Sequence, residues 1–118
     1  MNTFDIAMTA AKTSLAKKGQ DVVILDIREK SSFADYFVLA SGINERQIEA
    51  ISDEICDELA KHELFPKSIE GKRTSGWILM DFEDVIVNVF TMEMRSKYNI
   101  EKVWGDCRAI EITDDTEE

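Results

Sequence analysis

The segment GWILMDFEDVIVNVF, residues 76–90, contains two apolar runs on either side of a short acidic turn. Val85–Phe90 is rich in β-branched residues and almost continuously apolar, which predicts a strand covered on both faces. Gly76–Phe82 predicts a second strand, whose side chains alternate between the two faces of a sheet. Glu83 and Asp84 join the two runs at hairpin spacing. We therefore expect an antiparallel hairpin whose second strand lies in the interior of a sheet.

Five elements are predicted before this hairpin. Apolar residues recur at helical spacing over residues 3–18 and again over residues 44–62, which predicts two amphipathic helices. Val22–Ile27 and Phe33–Ser41 are predicted as buried strands, because their apolar runs are nearly continuous and contain many β-branched or aromatic residues. A further short strand is predicted over Phe65–Glu70.

The ends of the two helices carry local signals. Thr3 is a candidate N-cap for the first helix and Asn44 for the second. Gln47, three residues after Asn44, completes the pattern of a capping box. Lys17, Lys18 and Gly19 predict the C-terminal end of the first helix, where basic residues and glycine are favoured.

The chain after the hairpin predicts a short helix over Glu93–Tyr98 and a final strand over Ala109–Ile112. The order of elements predicts an α/β fold of the α+β kind, with a mixed β-sheet and helices packed against it. We expect one domain over residues 1–112. Residues 113–118 (TDDTEE) are predicted to form an acidic, disordered tail, because they have too little apolar content to dock.

Composition and charge exclude several classes of protein. A chain of 118 residues with 44% apolar and 32% charged residues suits one globular domain. No apolar run approaches the roughly 20 residues of a membrane-spanning helix. The N-terminus shows no export signal, so we expect a cytoplasmic protein. The net charge of −10 repels phosphate and favours a basic partner, or serves only solubility.

Few residues could carry chemistry. A zinc site would require His62, the only histidine, to converge with Cys56, Cys107 and a carboxylate, although no metal-ligand spacing links them. Without an export signal, we expect both thiols to be reduced. We therefore expect no metal, no cofactor and no catalytic residue.

An enzymatic alternative remains open. Ser41 and Gly42 precede a helix whose first amides could hold an anion. Asp81, Glu83 and Asp84 could bind Mg²⁺, which prefers clustered carboxylates, as in nucleotidyltransferases. The other interpretation is that the glycine serves a turn and the acids serve solubility, since acidic residues are common in turns.

Trp77 is the residue that most suggests a binding surface. Together with Leu79 and Asp81 it occupies one face of its predicted strand, and Ile78 and Met80 occupy the other. Because only two long helices are predicted, part of one sheet face should be an exposed apolar patch, which marks a partner site. A tryptophan in such a patch is typical of an interface hot spot. The alternative is a core tryptophan.

Several segments together resemble the ribosomal silencing factor family, RsfS, also called the Iojap family. The resemblance spans about residues 5–105, and the order and spacing of its segments are more specific than any one of them. In chain order the segments are ADYFVLASG (34–42), RQIEAI (46–51), EG (70–71), GWI (76–78), DVIVNVF (84–90) and RSKYNIEKVW (95–104).

The resemblance implies a fold and a function. The fold is a mixed α/β domain of nucleotidyltransferase-like topology without the catalytic carboxylates. The function is translation repression, not catalysis: binding to the large ribosomal subunit at its protein number fourteen, which sterically blocks subunit joining when nutrients are short. Family members also tend to form homodimers. An acidic chain fits such a partner, because a ribosomal protein beside phosphate is typically basic.

The resemblance also implies a set of partner-binding residues. Trp77 matches the strand tryptophan of the family's binding surface. Two positions depart from the family pattern: Glu83 stands at a turn position commonly held by glycine, and Asn88 stands where a histidine is usual. Neither departure is expected to touch Trp77. The partner-binding residues implied are Trp77, Ile78, Leu79, Met80, Asp81, Arg95 and Tyr98.

Overall fold

This computed structural model describes residues 1–113 of the chain. A short 3-10 turn at Arg73–Ser75 accompanies four helices and six strands. In chain order these are α1 (Thr3–Ala16), β1 (Gln20–Asp26), β2 (Tyr36–Gly42), α2 (Glu45–Ala60), β3 (Ser68–Glu70), β4 (Trp77–Asp81), β5 (Val85–Thr91), α3 (Met92–Tyr98), α4 (Ile100–Val103) and β6 (Arg108–Glu111).

The six strands form one mixed sheet in the order β3-β4-β5-β2-β1-β6. β2 and β5 lie in its interior and pair in parallel, whereas the other neighbours pair antiparallel. A parallel pair needs a crossover, so the chain leaves β2 through α2, β3 and β4 before it returns as β5. β4 and β5 form a hairpin in which Leu79 lies opposite Asn88. The predicted hairpin and its interior second strand are confirmed.

Helices α1 and α2 cover one face of the sheet and form the larger part of the core. The apolar stripe of α2 is fully buried, from Ile48 to Leu59. It packs against sheet residues such as Val38, Met80 and Val87, which are themselves fully buried. Because complete burial of one such side chain contributes about 1.5–3 kcal/mol, this layer dominates the hydrophobic stabilisation of the fold.

The opposite face of the sheet is covered only in part. Val23, Leu25, Leu39 and Phe90 form a smaller buried cluster there, and the short helices α3 and α4 contribute to it. Trp77 packs against this cluster and is itself only half-buried. The two long helices thus lie on one side of the sheet, and the other side is left open near β4.

Most predicted elements are confirmed, with their ends displaced by up to three residues. The predicted cap of α1 is wrong. Asn2 is the N-cap, because its side chain accepts a hydrogen bond from the Asp5 N–H at 2.8 Å and Asp5 reciprocates in a capping box. Thr3 Oγ1 instead donates to Asp35 at 2.9 Å. Helix α4 was not predicted, because a four-residue segment carries too few apolar repeats to show a period.

Gln47 joins the two long helices. Asn44 caps α2 as predicted and accepts from the Gln47 N–H at 2.8 Å. The Gln47 side chain does not reach back to Asn44, as a capping box requires. Its Oε1 accepts from the Ile43 N–H at 2.6 Å, and its Nε2 donates to the carbonyl groups of Lys17 and Lys18. The start of α2 is therefore fastened to the end of α1.

Within residues 1–113, no helix is both long and apolar enough to cross a membrane. The domain boundary at residue 112 stays a prediction. The tail predicted over residues 113–118 lies outside the described residues, apart from Thr113.

Candidate partner-binding surface

Trp77 is held from three sides at the start of β4. Its ring lies 5.0 Å from the ring of Phe90 and 4.7 Å from the ring of Tyr98. Its indole Nε1 donates a hydrogen bond to Asn88 Oδ1 at 3.0 Å. Since Asn88 is almost fully buried, this bond fixes the edge of the indole against the sheet.

The expectation that Asn88 does not touch Trp77 is therefore wrong. Asn88 lies on β5 directly opposite Leu79, two residue pairs along from the level of Trp77, and its side chain points to the same face of the sheet. A buried polar side chain needs a hydrogen-bond partner, and the indole N–H supplies one. A polar residue within the apolar run of β5 was the signal in the sequence that could have indicated this contact.

An apolar surface surrounds Trp77, and we call it the open face. Two cavities of about 300 and 250 Å³ indent it, and both are lined by Trp77 and Leu79. Phe33, Tyr98 and Val103 rise at its margin and are 58%, 45% and 73% exposed. The residues that define the open face are Phe33, Phe37, Trp77, Leu79, Ile86, Asn88, Tyr98, Ile100, Val103 and Trp104.

Aromatic contacts hold the far side of the open face together. Trp104 packs edge-on against Phe37 at 5.4 Å between ring centroids, and Phe33 lies 6.4 Å from Trp104. The sequence did not single out Phe33, Ile86 or Val103 as surface residues. Phe33 was predicted as the first residue of a strand but lies before β2, and Val103 lies in the unpredicted helix α4, so strand alternation could not place either of them. A contiguous apolar patch of this kind is typical of a protein-binding surface.

Acidic groups border the open face at β3 and β4. Glu70 is exposed, pairs with Leu79 across the strands and lines the smaller cavity. Asp81 is half-buried at the end of β4, and its Oδ1 accepts from the Glu83 N–H at 2.7 Å. Glu83 has a φ of +73°, so this side chain supports a left-handed turn that lacks glycine.

Two of the expected partner-binding residues face the wrong way. Ile78 and Met80 are 6% and 0% exposed, and both belong to the core beneath α1 and α2. Because successive side chains of a strand alternate, the strand that presents Trp77 and Leu79 must bury its intervening residues. The side chains of Ile78 and Met80 are therefore structural and are not part of the open face.

Arg95 is also withdrawn from the surface. Its side chain is nine-tenths buried, with Nε donating to Glu101 at 2.9 Å and Nη1 donating to Ser41 Oγ at 2.9 Å. It ties α3 to α4 and to the end of β2, and it does not line either cavity beside Trp77. Of the expected residues, Trp77, Leu79 and Tyr98 lie on the open face, and Asp81 lies at its border.

The arrangement expected of a nucleotidyltransferase does not assemble. Ser41 pairs with Phe90, whereas the acidic hairpin lies beside the opposite end of β2, where Tyr36 pairs with Val85. Five residues of strand separate the two ends, about 16 Å at 3.3 Å per residue. The proposed anion site and the proposed Mg²⁺ ligands are therefore too far apart to bind the same phosphate group.

The cysteines do not converge on a zinc site. Cys56 packs into the core on the helix-covered face, and Cys107 packs with the cluster on the opposite face. Burial raises the pKa of the Cys56 thiol, so the free thiol stays protonated at neutral pH. Among residues 1–113, no group of three or more His, Cys, Asp or Glu side chains could hold a metal ion.

Fold and surface together define a small α/β domain with an open, apolar sheet face bordered by acidic residues. The chain belongs to the family described as "Ribosomal silencing factor during starvation", whose profile matches residues 2–118. It is 39% identical to the ribosomal silencing factor RsfS of Bacillus subtilis over 106 residues, or 90% of each chain. It is 31% identical to the chloroplastic protein Iojap of Zea mays over 94% of this chain and 48% of that protein.

Solved structures show the same fold. A crystal structure of a Chromobacterium violaceum protein superposes with a TM-score of 0.85 at 28% identity, covering 89% of this chain and 88% of that one. A Bacillus halodurans crystal structure gives a TM-score of 0.80 at 30% identity, covering 93% of this chain and all of that one. The expected fold class and family are confirmed. The bacterial relatives carry a regulatory name and not the name of an enzyme.

Proposed function

We propose that this protein binds the large ribosomal subunit through the open face, at the protein numbered fourteen, and represses translation by blocking subunit joining. The observation that carries the proposal is that Trp77 and Leu79, which are partly exposed, and Tyr98, which is exposed, lie together on an uncovered sheet face. Family membership supports association with the ribosome. The particular ribosomal protein and the block on joining come from the family resemblance.

The mechanism needs only shape and charge. A body with extents of 33 × 33 × 31 Å, bound at the surface where the subunits meet, would fill the space that the small subunit must occupy. Glu70 and Asp81 at the border of the open face suit a basic protein surface, and the net charge of −10 opposes binding to bare rRNA. Repression by exclusion requires no catalytic group, and the proposal implies a cytoplasmic location.

The test is co-sedimentation with separated ribosomal subunits. We expect the protein to sediment with the large subunit and not with the small one, and to reduce the formation of joined ribosomes. Sedimentation only with the small subunit would overturn the proposal.

A matched pair of variants locates the surface. Leu79→Ser alters the open face, and Ile69→Ser alters an exposed aliphatic residue on the neighbouring strand that belongs to the opposite face. Loss of a central apolar contact costs binding about 1–2 kcal/mol, or roughly a tenfold loss of affinity. We expect that loss for Leu79→Ser and little change for Ile69→Ser. Equal losses in both variants would place binding elsewhere.

The homodimer implied by the resemblance belongs to the same proposal. Sedimentation equilibrium of the free protein measures it directly. If the dimer also uses the open face, Leu79→Ser should weaken self-association and ribosome binding together, and Ile69→Ser should weaken neither.

A further inference from the structure

A separate cleft lies beside α3, away from the open face. Its volume is about 670 Å³, and it is bounded by α3, β1 and the end of β6. None of the residues that line it lines either cavity beside Trp77. Its size is within the range of small-molecule sites, about 300–1,000 Å³.

The buried guanidinium of Arg95 lies in this cleft with hydrogen-bonding capacity to spare. Its Nε and Nη1 are bonded to Glu101 and Ser41, and Nη2 has no hydrogen-bond partner among residues 1–113. In that part of the chain, every fully buried side-chain N or O atom has a hydrogen-bond partner. Because Nη2 has no partner, it must be exposed, and the cleft is the cavity that Arg95 lines. A guanidinium edge held in this way can donate to a carboxylate of a ligand.

The rest of the cleft carries the opposite charge. Asp21 and Glu111 are exposed at its walls, and Asp21 sits in the irregular stretch of β1 where the register with β2 shifts, at a φ of +49°. Glu101 already balances Arg95 at 2.9 Å, and no other cationic side chain is among the described residues that line the cleft, so Asp21 and Glu111 have no counter-charge there within residues 1–113. Asp21 and Glu111 would repel a ligand that carries only a carboxylate. A ligand that carries only cationic groups would accept no hydrogen bond from Arg95 Nη2.

We infer that this cleft binds a free basic α-amino acid, such as lysine or arginine. Its carboxylate accepts from Arg95 Nη2, and its two cationic groups face Asp21 and Glu111. One carboxylate and two cations match the donors and charges of the cleft. The inference does not depend on ribosome binding, because the cleft and the open face lie on different sides of α3.

A heteronuclear NMR titration of the full chain with L-lysine tests this inference. We expect saturable shifts of the amide signals of cleft residues such as Ser41, Arg95 and Glu111, and unchanged signals at Leu79. Cadaverine, the diamine left when lysine loses its carboxylate, should bind at least about tenfold more weakly, because the charge-assisted bond to Arg95 is absent. Equal affinity for cadaverine would reduce the cleft to an acidic patch and overturn the inference, as would the absence of any saturable shift.

Variants at exposed positions keep the test independent of folding. Glu111→Gln should weaken lysine binding about threefold, in keeping with one solvent-exposed ion pair. Glu70→Gln makes the same change at the border of the open face and should leave lysine binding unchanged. Arg95→Lys should abolish the preference for lysine over cadaverine, with thermal unfolding measured alongside to show that the variant is folded. An equal effect of Glu70→Gln and Glu111→Gln would contradict the site.

Discussion

At the scale of single residues, Trp77 is both packed against the fold and part of the open face, two roles that the sequence presented as alternatives. Its ring packs on Phe90 and Tyr98, and its indole N–H is bonded to Asn88, yet the residue is not fully buried. Trp77→Ala should therefore lower stability and partner binding together. A substitution that keeps an aromatic ring is needed to separate the two.

A double-mutant cycle should isolate the hydrogen bond between Trp77 and Asn88. Trp77→Phe keeps a ring on Phe90 but removes the N–H, and Asn88→Leu removes the acceptor. A buried hydrogen bond contributes about 1 kcal/mol net. We therefore expect the double variant to lose about that much less unfolding free energy than the sum of the losses in the two single variants. Urea unfolding of the four proteins measures it. Full additivity would mean that the bond contributes nothing.

Glu83 offers a gain in stability. Its φ of +73° lies in the left-handed region, where a residue with a side chain loses roughly 1–2 kcal/mol of stability. Glycine would relieve this strain, and the relief exceeds the stability that glycine loses by making the unfolded chain more flexible. We expect Glu83→Gly to raise the unfolding free energy by about 0.5–1 kcal/mol. Asp84→Gly, at the next position of the same turn, is the control and should lower it. The same urea experiment decides, and a loss of stability for Glu83→Gly would show that the turn is not strained.

At the scale of elements, the loop that leads into β4 requires glycine at position 71. Gly71 has a φ of +82°, and a Cβ placed there would lie 2.1 Å from the carbonyl oxygen of Trp77, a backbone atom that cannot swing aside. We expect Gly71→Ala to lower the unfolding free energy by at least about 2 kcal/mol, from left-handed strain and the clash together.

The control for Gly71→Ala is Gly105→Ala. The nearest atom to a Cβ at Gly105 is 3.2 Å away, and its φ is not in the left-handed region. Thermal unfolding compares the two variants with the parent protein. Equal, small effects would show that the loop can move away from β4, and the position of Trp77 would then not depend on this turn.

An element could be predicted from the sequence when its pattern of apolar residues repeated often enough to show a period. Helix α2 was predictable because its apolar stripe persists over sixteen residues, whereas α4, with four, left no period to detect. The alternation of β4 placed Trp77 and Leu79 on one face and Ile78 on the other. The sequence alone could not show which of the two faces the helices cover. The resemblance therefore led us to expect every residue from Trp77 to Asp81 at the binding surface.

Tertiary contacts account for the remaining errors at the site. Arg95 bonds to Ser41, which is 54 positions away in the chain, and no local pattern predicts such a bond. Asn88 could have been suspected, because a polar residue in a buried strand needs a partner. The identity of that partner, Trp77, required the register of the hairpin.

At the scale of the whole molecule, charge should govern the rate of association. Glu70 tests this better than Asp81, because Asp81 also holds the hairpin turn through the Glu83 N–H. Glu70→Lys should slow association with the large subunit several-fold at low salt, and the difference should shrink as salt screens the charges. Stopped-flow or surface binding kinetics measure the rate.

Asp57→Lys is the matched control for Glu70→Lys. It makes the same change of net charge on α2, on the helix-covered side of the sheet. If steering acts through the open face, Glu70→Lys should slow association more than Asp57→Lys does. Equal slowing would mean that only the total charge matters, and no slowing in either variant would exclude electrostatic steering.

The order of the strands also sets how easily different parts of the sheet open. β3 has three exposed residues at the outer edge and pairs only with β4, whereas β2 and β5 lie side by side in the interior. Amide protons that bond β3 to β4 should therefore exchange with deuterium through local fraying, and those of Val38 and Val87 only when the whole domain unfolds. A partner docked beside Leu79 would slow exchange at β3 and leave the interior strands unchanged, so the isotope content of Ser68–Glu70 would report whether the open face is occupied. Equal protection of β3 with and without the large subunit would contradict docking beside β4.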